Sequence, residues 1–295
     1  MKPKIGIVTV LYNSGTVLVD FFATLNKQTY TNFILYVVDN KSPDNSLVLC
    51  KQLADTCFFK TIVIENDENS GVAKGNNIGI KQALDDDCDM VLLSNNDIVL
   101  EPNTIETLLQ GMEAQHTTMV VPKIYFHGTK IIWTAGGRFI RHRGGVLHIG
   151  AYETDYGQYN QRKFINYAPT CFMLIHKDVF TRIGIMDEKY FVYWDDTDFV
   201  YRALKQKESL WYIPESLVNH KVSTSTGNGS KFRMYYMKRN LIYFSLKNYN
   251  PVYAVYVITF DIAEHLFKHI FNLNFNLWKK GLSGYLDGFK LSFKK

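Results

Sequence analysis

Met90-Val91-Leu92-Leu93-Ser94-Asn95-Asn96-Asp97 runs from four apolar residues straight into a hydroxyl, two side-chain amides and a carboxylate. So short a continuous apolar run, ended by polar residues, fits a strand buried on both faces. Three more β-rich runs precede it: Ile5 to Val10, Phe33 to Val38 and Phe58 to Ile64. Their starts lie about 25 to 30 residues apart, the spacing of successive βα units. Between them the sequence predicts helices over Val17 to Asn26, Ser46 to Leu53 and Val72 to Leu84. Asn13-Ser14, Asp44 and Asn69-Ser70 stand ready to cap their first turns. The expected fold is α/β with a mostly parallel sheet. In such sheets ligands bind beyond the carboxyl ends of the strands, which directs attention to Thr9 to Asn13, Asp39 to Asp44 and Ser94 to Asp97.

The second half is less regular. His127 to Gln161 carries Gly136-Gly137, Gly144-Gly145 and several Tyr and His residues, and fits a variable rim over a site. Phe172 to Ile175 reads as a strand, Asp195 to Lys205 as a helix, and Leu210 to Ile213 as a strand ended by Pro214, with a further short strand at Ser216 to Asn219. From Lys231 the pattern turns helical. The division expected is an α/β domain over 1–230, with halves at about 1–100 and about 101–230, followed by a helical region over 231–295.

Composition narrows the class. The chain has 295 residues, 46% hydrophobic and 21% charged, which excludes disordered, collagen-like and low-complexity chains. Its net charge of +5 is unevenly placed: residues 231–295 hold 11 Lys/Arg against 3 Asp/Glu, and the remainder holds 22 against 25. A basic tail can meet nucleic acid, anionic lipid or an acidic partner. Here Ile262, Leu266, Phe267, Ile270 and Phe271 share one helix face, and Trp278-Lys279-Lys280 and Phe293-Lys294-Lys295 add aromatic and basic residues. That combination suits a membrane interface as well as it suits packing on the α/β domain, and it gives no reason to expect nucleic acid. The apolar run Val252 to Phe260 is too short to span a bilayer. With no CxxC pair among four cysteines and no signal sequence after Met1, a cytoplasmic protein with reduced thiols is expected.

Individual motifs carry chemistry weakly. Asp39 follows Leu35-Tyr36-Val37-Val38 and could accept an imide N–H from a uracil or thymine base, or merely support its own turn. Gly71, Gly75 and Gly79 recur every fourth residue, so something approaches that helix closely, a sheet being the plainest candidate. Neither a dinucleotide fingerprint nor a P-loop is present. Asp97 could share a hard metal ion with phosphate oxygens, or cap the helix that starts near Glu101-Pro102. Asp195, Asp196 and Asp198 follow the aromatic run Tyr190 to Trp194, where carboxylates can raise one another's pKa as a general base requires, or cap a helix. His220 lies on a polar loop before Lys221-Val222-Ser223-Thr224-Ser225 and could bind metal or phosphate.

Taken in order, these segments resemble family 2 glycosyltransferases of the GT-A fold. The resemblance rests on Val8-Thr9-Val10-Leu11-Tyr12-Asn13, Val38-Asp39-Asn40, Asn69 to Gly79, Ser94 to Asp97, Phe172 to Ile175, Asp195-Asp196-Thr197-Asp198 with Arg202, His220, and Tyr236-Met237-Lys238-Arg239-Asn240. The last of these looks like the rhamnosyltransferase-like branch. The resemblance implies that Thr9, Leu11 and Asp39 hold the nucleoside, with Lys74 and Asn96 nearby and Arg239 on the diphosphate. It implies Mg2+ or Mn2+ held by Asp97 and His220, Asp196 as catalytic base, and Trp194 and Asp195 on the acceptor side. Asp195 stands where the family usually has Glu, and Thr170-Cys171 where Gly-Ala is commoner, which leaves Asp195 as a second candidate base.

The activity so implied is inverting transfer of a sugar from a UDP- or dTDP-sugar, dTDP-rhamnose among the candidates, to a hydroxyl of a glycan or lipid-linked glycan. The setting implied is bacterial surface polysaccharide assembly at the inner membrane face, self-association not being excluded. Two competing readings are a sugar-nucleotide nucleotidyltransferase, disfavoured because Leu11 to Gly15 is neither Gly-rich nor basic, and a catalytically silent glycan-binding scaffold.

Overall fold

The computed structural model describes residues 2–140, 143–221, 230–271 and 275–294. The polar loop expected after His220 therefore falls outside the described residues from position 222 on, as do the side chains of Ile270 and Phe271. The first half alternates β1 (Ile5–Leu11), α1 (Leu18–Leu25), β2 (Phe33–Asp39), α2 (Ser46–Ala54), β3 (Lys60–Glu65), α3 (Gly71–Asp85) and β4 (Met90–Ser94). Then follow β5 (Ile98–Leu100), α4 (Thr104–Ala114), β6 (Met119–Phe126), β7 (Ile132–Thr134), β8 (Gly137–Ile140), β9 (Gly145–His148), β10 (Lys163–Ile165) and β11 (Phe172–His176). The chain continues through α5 (Lys177–Ile183), α6 (Asp195–Lys205), β12 (Leu210–His220), α7 (Lys231–Asn248), α8 (Pro251–Phe271) and α9 (Phe275–Phe293).

The four strands expected from the sequence form the parallel block β3-β2-β1-β4, and β11, β6, β12 and β10 extend the sheet beyond β4. β11 runs antiparallel to both β4 and β6, which returns β6 and β12 to the direction of the parallel block. Alternate residues feed two cores: Ile5, Ile7, Leu35 and Leu92 on one face, Val8, Tyr36, Val91 and Leu93 on the other. α3 covers the second face so closely that a Cβ on Gly79 would sit 2.4 Å from a methyl of Val8. The glycine repeat is therefore helix–sheet packing at Gly75 and Gly79. Gly71 differs, with φ +82° and a virtual Cβ 2.4 Å from the carbonyl oxygen of Phe191.

Local readings failed in two places. No side chain caps α1, α2 or α3 at the N-cap position. Asp44 and Asn69 act one step earlier as Asx turns, accepting from the backbone N–H of Ser46 and Gly71. Nor does Pro214 end its strand. β12 continues to His220 because the register shifts between Ile213 and Leu217, so the proline sits in a bulge and interrupts no regular ladder bond.

The three C-terminal helices share a third core, in which Ile242, Phe244, Val257, Ile258 and Tyr285 pack with Tyr190 and Trp194. Ile262 also faces this core, whereas Leu266 and Phe267 are exposed, so the expected single apolar face is split. Among the described residues no helix is long and apolar enough to cross a membrane.

Candidate active site

At the carboxyl ends of β1, β2 and β4 lies a cleft of about 600 Å3, lined by Tyr12, Asn13, Asn40, Gly71, Asn96, Asp97, Thr170, Phe191 and others. Side-chain amides shape its walls. Asn40 donates to the carbonyl of Gly71 at 2.9 Å, and Asn96 donates to the carbonyl of Val10 at 2.8 Å. Thr9 is fully buried beneath the cleft, with a hydroxyl that has no partner among the described residues. Asp39 is 2% exposed and accepts from both the N–H and the hydroxyl of Ser42, the latter at 2.6 Å. Its carboxylate thus holds the β2 turn, as the structural alternative foresaw.

Asp97, in the cleft lining, meets His220. β5 pairs with the end of β12, setting His220 opposite Ile98, and the N–H of Lys221 donates to the carbonyl of Asp97 at 2.8 Å. The imidazole Nε2 lies 3.0 Å from Asp97 Oδ1, and the ring is 6% exposed. At 3.0 Å the imidazole and the carboxylate are hydrogen-bonded to each other, which brings one nitrogen and one oxygen donor atom together. His220 Nδ1 is buried with no partner among the described residues, so nothing else fixes the ring's tautomer. Those residues contain no group of three His, Cys, Asp or Glu suited to a metal. The pair fits an ion whose remaining ligands would be water and donor phosphate, though the imidazole departs from the all-oxygen set usual for Mg2+.

Asp195 and Asp196 open α6. Burial, then the charges of Asp97 and Asp196, pushes the Cys171 thiol up, so both carboxylates lie within electrostatic reach of it. Burial, then the charge of Asp196, pushes Asp195 up to about 7. Burial also raises Asp196, against the stabilising donors Tyr167 hydroxyl at 2.9 Å and Thr197 N–H at 2.6 Å. Asp195 is 5% exposed and Asp196 more open, so Asp196 is the more accessible of the two carboxylates. The turn that presents them is strained: Tyr193 and Trp194 both adopt left-handed backbone, φ +63° and +69°. For non-glycine residues that costs on the order of 1 kcal/mol or more each.

A wall of rings connects the two pairs. Trp133 packs edge-on against His220 at 4.6 Å and against His148 at 5.0 Å, and His148 meets Tyr167 at 5.8 Å. Burial holds His148 below the usual histidine range. Sequence reasoning named none of these three: His148 falls in the His- and Tyr-rich stretch 127–161, and no signal singled out Trp133 or Tyr167.

Four residues carried over from the resemblance stand elsewhere. The Leu11 side chain is in the core and its carbonyl accepts from Asn40 N–H. Lys74 lies 3.7 Å from Glu68 and outside the cleft lining. Trp194 packs its indole against Phe244 in the C-terminal core. Arg239 donates to the carbonyl of Lys189 and stacks over Tyr236, also outside the lining.

The mixed sheet and the cleft at its strand ends match the GT-A fold of solved glycosyltransferases. The family described as Glycosyl transferase family 2 matches residues 6–184, and the chain belongs to that family. It is 26% identical over 223 residues to the glycosyltransferase GlyG of Streptococcus pneumoniae serotype 4, covering 74% of this chain and 70% of that one. It is 24% identical over 266 residues to the dTDP-rhamnosyl transferase RfbF of Shigella flexneri, covering 85% and 83% respectively. Among solved structures, the mannosyltransferase PcManGT of Pyrobaculum calidifontis, in complex with GDP-Man and Mn2+, superposes with a TM-score of 0.59 at 12% identity, covering 96% of this chain and 74% of that one.

Proposed function

We propose that this glycosyltransferase is inverting and metal-dependent, taking a UDP- or dTDP-sugar, with dTDP-rhamnose the leading candidate, and glycosylating a hydroxyl of a glycan or lipid-linked glycan. The observation that carries the reading is the contact of Asp97, in the cleft lining, with His220, which the rings of Trp133, His148 and Tyr167 link to Asp196. The nucleoside lies over Thr9 and the Asp39 turn, and the diphosphate reaches Asp97 and His220. A bound divalent ion supplies charge neutralisation to the departing diphosphate.

Asp196 accepts the acceptor hydroxyl proton as that oxygen attacks the anomeric carbon from the face opposite the diphosphate. The old carbon–oxygen bond breaks and the nucleoside diphosphate leaves as an anion, so no second acid is needed. Tyr167 and Thr197 hold the carboxylate in place. In the test, purified protein is incubated with a donor panel and nucleotide release is measured. UDP or dTDP release lost with EDTA supports the reading; equal release with EDTA contradicts it.

The C-terminal helices support attachment to an anionic membrane face. Val252 (82% exposed), Val255, Tyr256, Leu266 and Phe267 line one side of α8, and Phe275, Leu282, Leu286 and Phe293 one side of α9 beside Lys279 and Lys290. Exposed apolar stripes edged by lysine are the pattern of helices lying in an interface.

A further inference from the structure

The segment leading into α6 is tied down at nearly every carbonyl. Lys189 O accepts from Arg239 Nη2 at 2.8 Å, Phe191 O from Val72 N–H at 2.7 Å, and Trp194 O from Asp198 N–H at 2.8 Å. Val192 O and Tyr193 O both accept from one group, Asn240 Nδ2, at 2.8 Å each. Asn240 lies on α7 and is fully buried. Its amide cannot be turned over. Oδ1 accepts from Arg239 Nε at 2.8 Å, and a reversed amide would set its oxygen against two carbonyls and its nitrogen against a guanidinium.

Both N–H bonds of Asn240 therefore fall on the turn that holds Tyr193 and Trp194 in left-handed backbone. That conformation persists only where surrounding contacts over-determine it. Asp195 and Asp196 come immediately after, and their direction and burial depend on it. Resting on the role proposed for Asp196, we infer that Asn240 is a positioning residue: its side-chain amide clamps the Val192–Tyr193 carbonyls and so fixes the base from the C-terminal helices. Arg239 acts in the same device, orienting the amide and holding Lys189. This explains a Tyr-Met-Lys-Arg-Asn run that lies outside the cleft.

The test compares wild type, Asn240→Ala and the nearly isosteric Asn240→Asp. Nucleotide affinity is measured by calorimetry with UDP and dTDP, and donor turnover is followed against pH. Without the clamp, kcat falls about 10- to 100-fold, as expected for an angstrom-scale misplacement of a catalytic group, while nucleotide affinity stays within about 2-fold. The acid limb of the pH–rate profile moves toward the ordinary carboxylate range, because water reaches the loosened pair. Adding Tyr193→Gly to Asn240→Ala recovers part of kcat, since glycine adopts positive φ freely.

A loss of activity that only follows the folded fraction, with the acid limb unmoved, overturns the clamp; so does wild-type turnover in Asn240→Ala. Should the alanine variant not fold, Asn240→Asp is read on the same two axes, because it keeps the volume and replaces the donors with an acceptor. Absence of donor turnover in wild type overturns the functional reading itself. An active wild type with an unmoved profile in the variants overturns only the role of Asn240.

Discussion

Replacing Asp195 by Asn should stabilise the protein, increasingly so as pH rises. Burial and the charge of Asp196 push Asp195 from the ordinary 3.8 to about 7. A carboxyl raised in the folded state contributes stability that is fully present below the unfolded pKa and is lost as pH rises through the folded one. The loss therefore accrues between about pH 4 and pH 7. Three units at about 1.4 kcal/mol each amount to roughly 4 kcal/mol, and at 5% exposure little of that is screened by solvent. Asparagine keeps the volume and removes the charge. Urea unfolding at pH 4.5, 6 and 8, followed by circular dichroism, should show the variant's advantage growing by about 2 to 4 kcal/mol across that range. A flat difference, or a variant less stable at pH 8, would refute the claim that this carboxylate is held against its own desolvation.

Further outcomes follow from the same geometry. Tyr167→Phe removes a donor that stabilises ionised Asp196, so the acid limb of the pH–rate profile should move up by on the order of one unit; an unmoved limb would mean that Asp196 is not the group titrating. Gly79→Ala sets a Cβ 2.4 Å from a Val8 methyl, and thermal unfolding should show a loss of about 1 to 3 kcal/mol. Phe267→Glu with Leu286→Glu, both exposed, should release the protein from anionic vesicles while leaving the melting temperature within a few degrees; unchanged co-sedimentation would exclude those stripes as the contact.

The first half was legible because its information is local. Each of β1 to β4 is a short apolar run that ends in polar residues, and the order of those ends already marks the cleft. The pairing of Asp97 with His220 came from the family resemblance, and the β5–β12 ladder brings the two side chains together across 123 positions. The remainder depends on contacts that no spacing encodes. Trp133, His148 and Tyr167 form one wall only because β7, β9 and the segment before β11 converge. Pro214 misled because the bulge that accommodates it is set by pairing with β6. Arg239 and Trp194 read as ligand-facing, yet both pack in or against the helical tail, which carries the strap ahead of Asp195.

Asp97 and His220 are proposed to share one divalent ion with the donor diphosphate. Mn2+ titration followed by electron paramagnetic resonance, with and without UDP or dTDP, tests it on wild type, Asp97→Asn and His220→Ala. The account expects wild type to bind one ion much more tightly when nucleotide is present, and either substitution to abolish that gain while the fold stays intact. Equal, nucleotide-independent Mn2+ binding in all three proteins would contradict it.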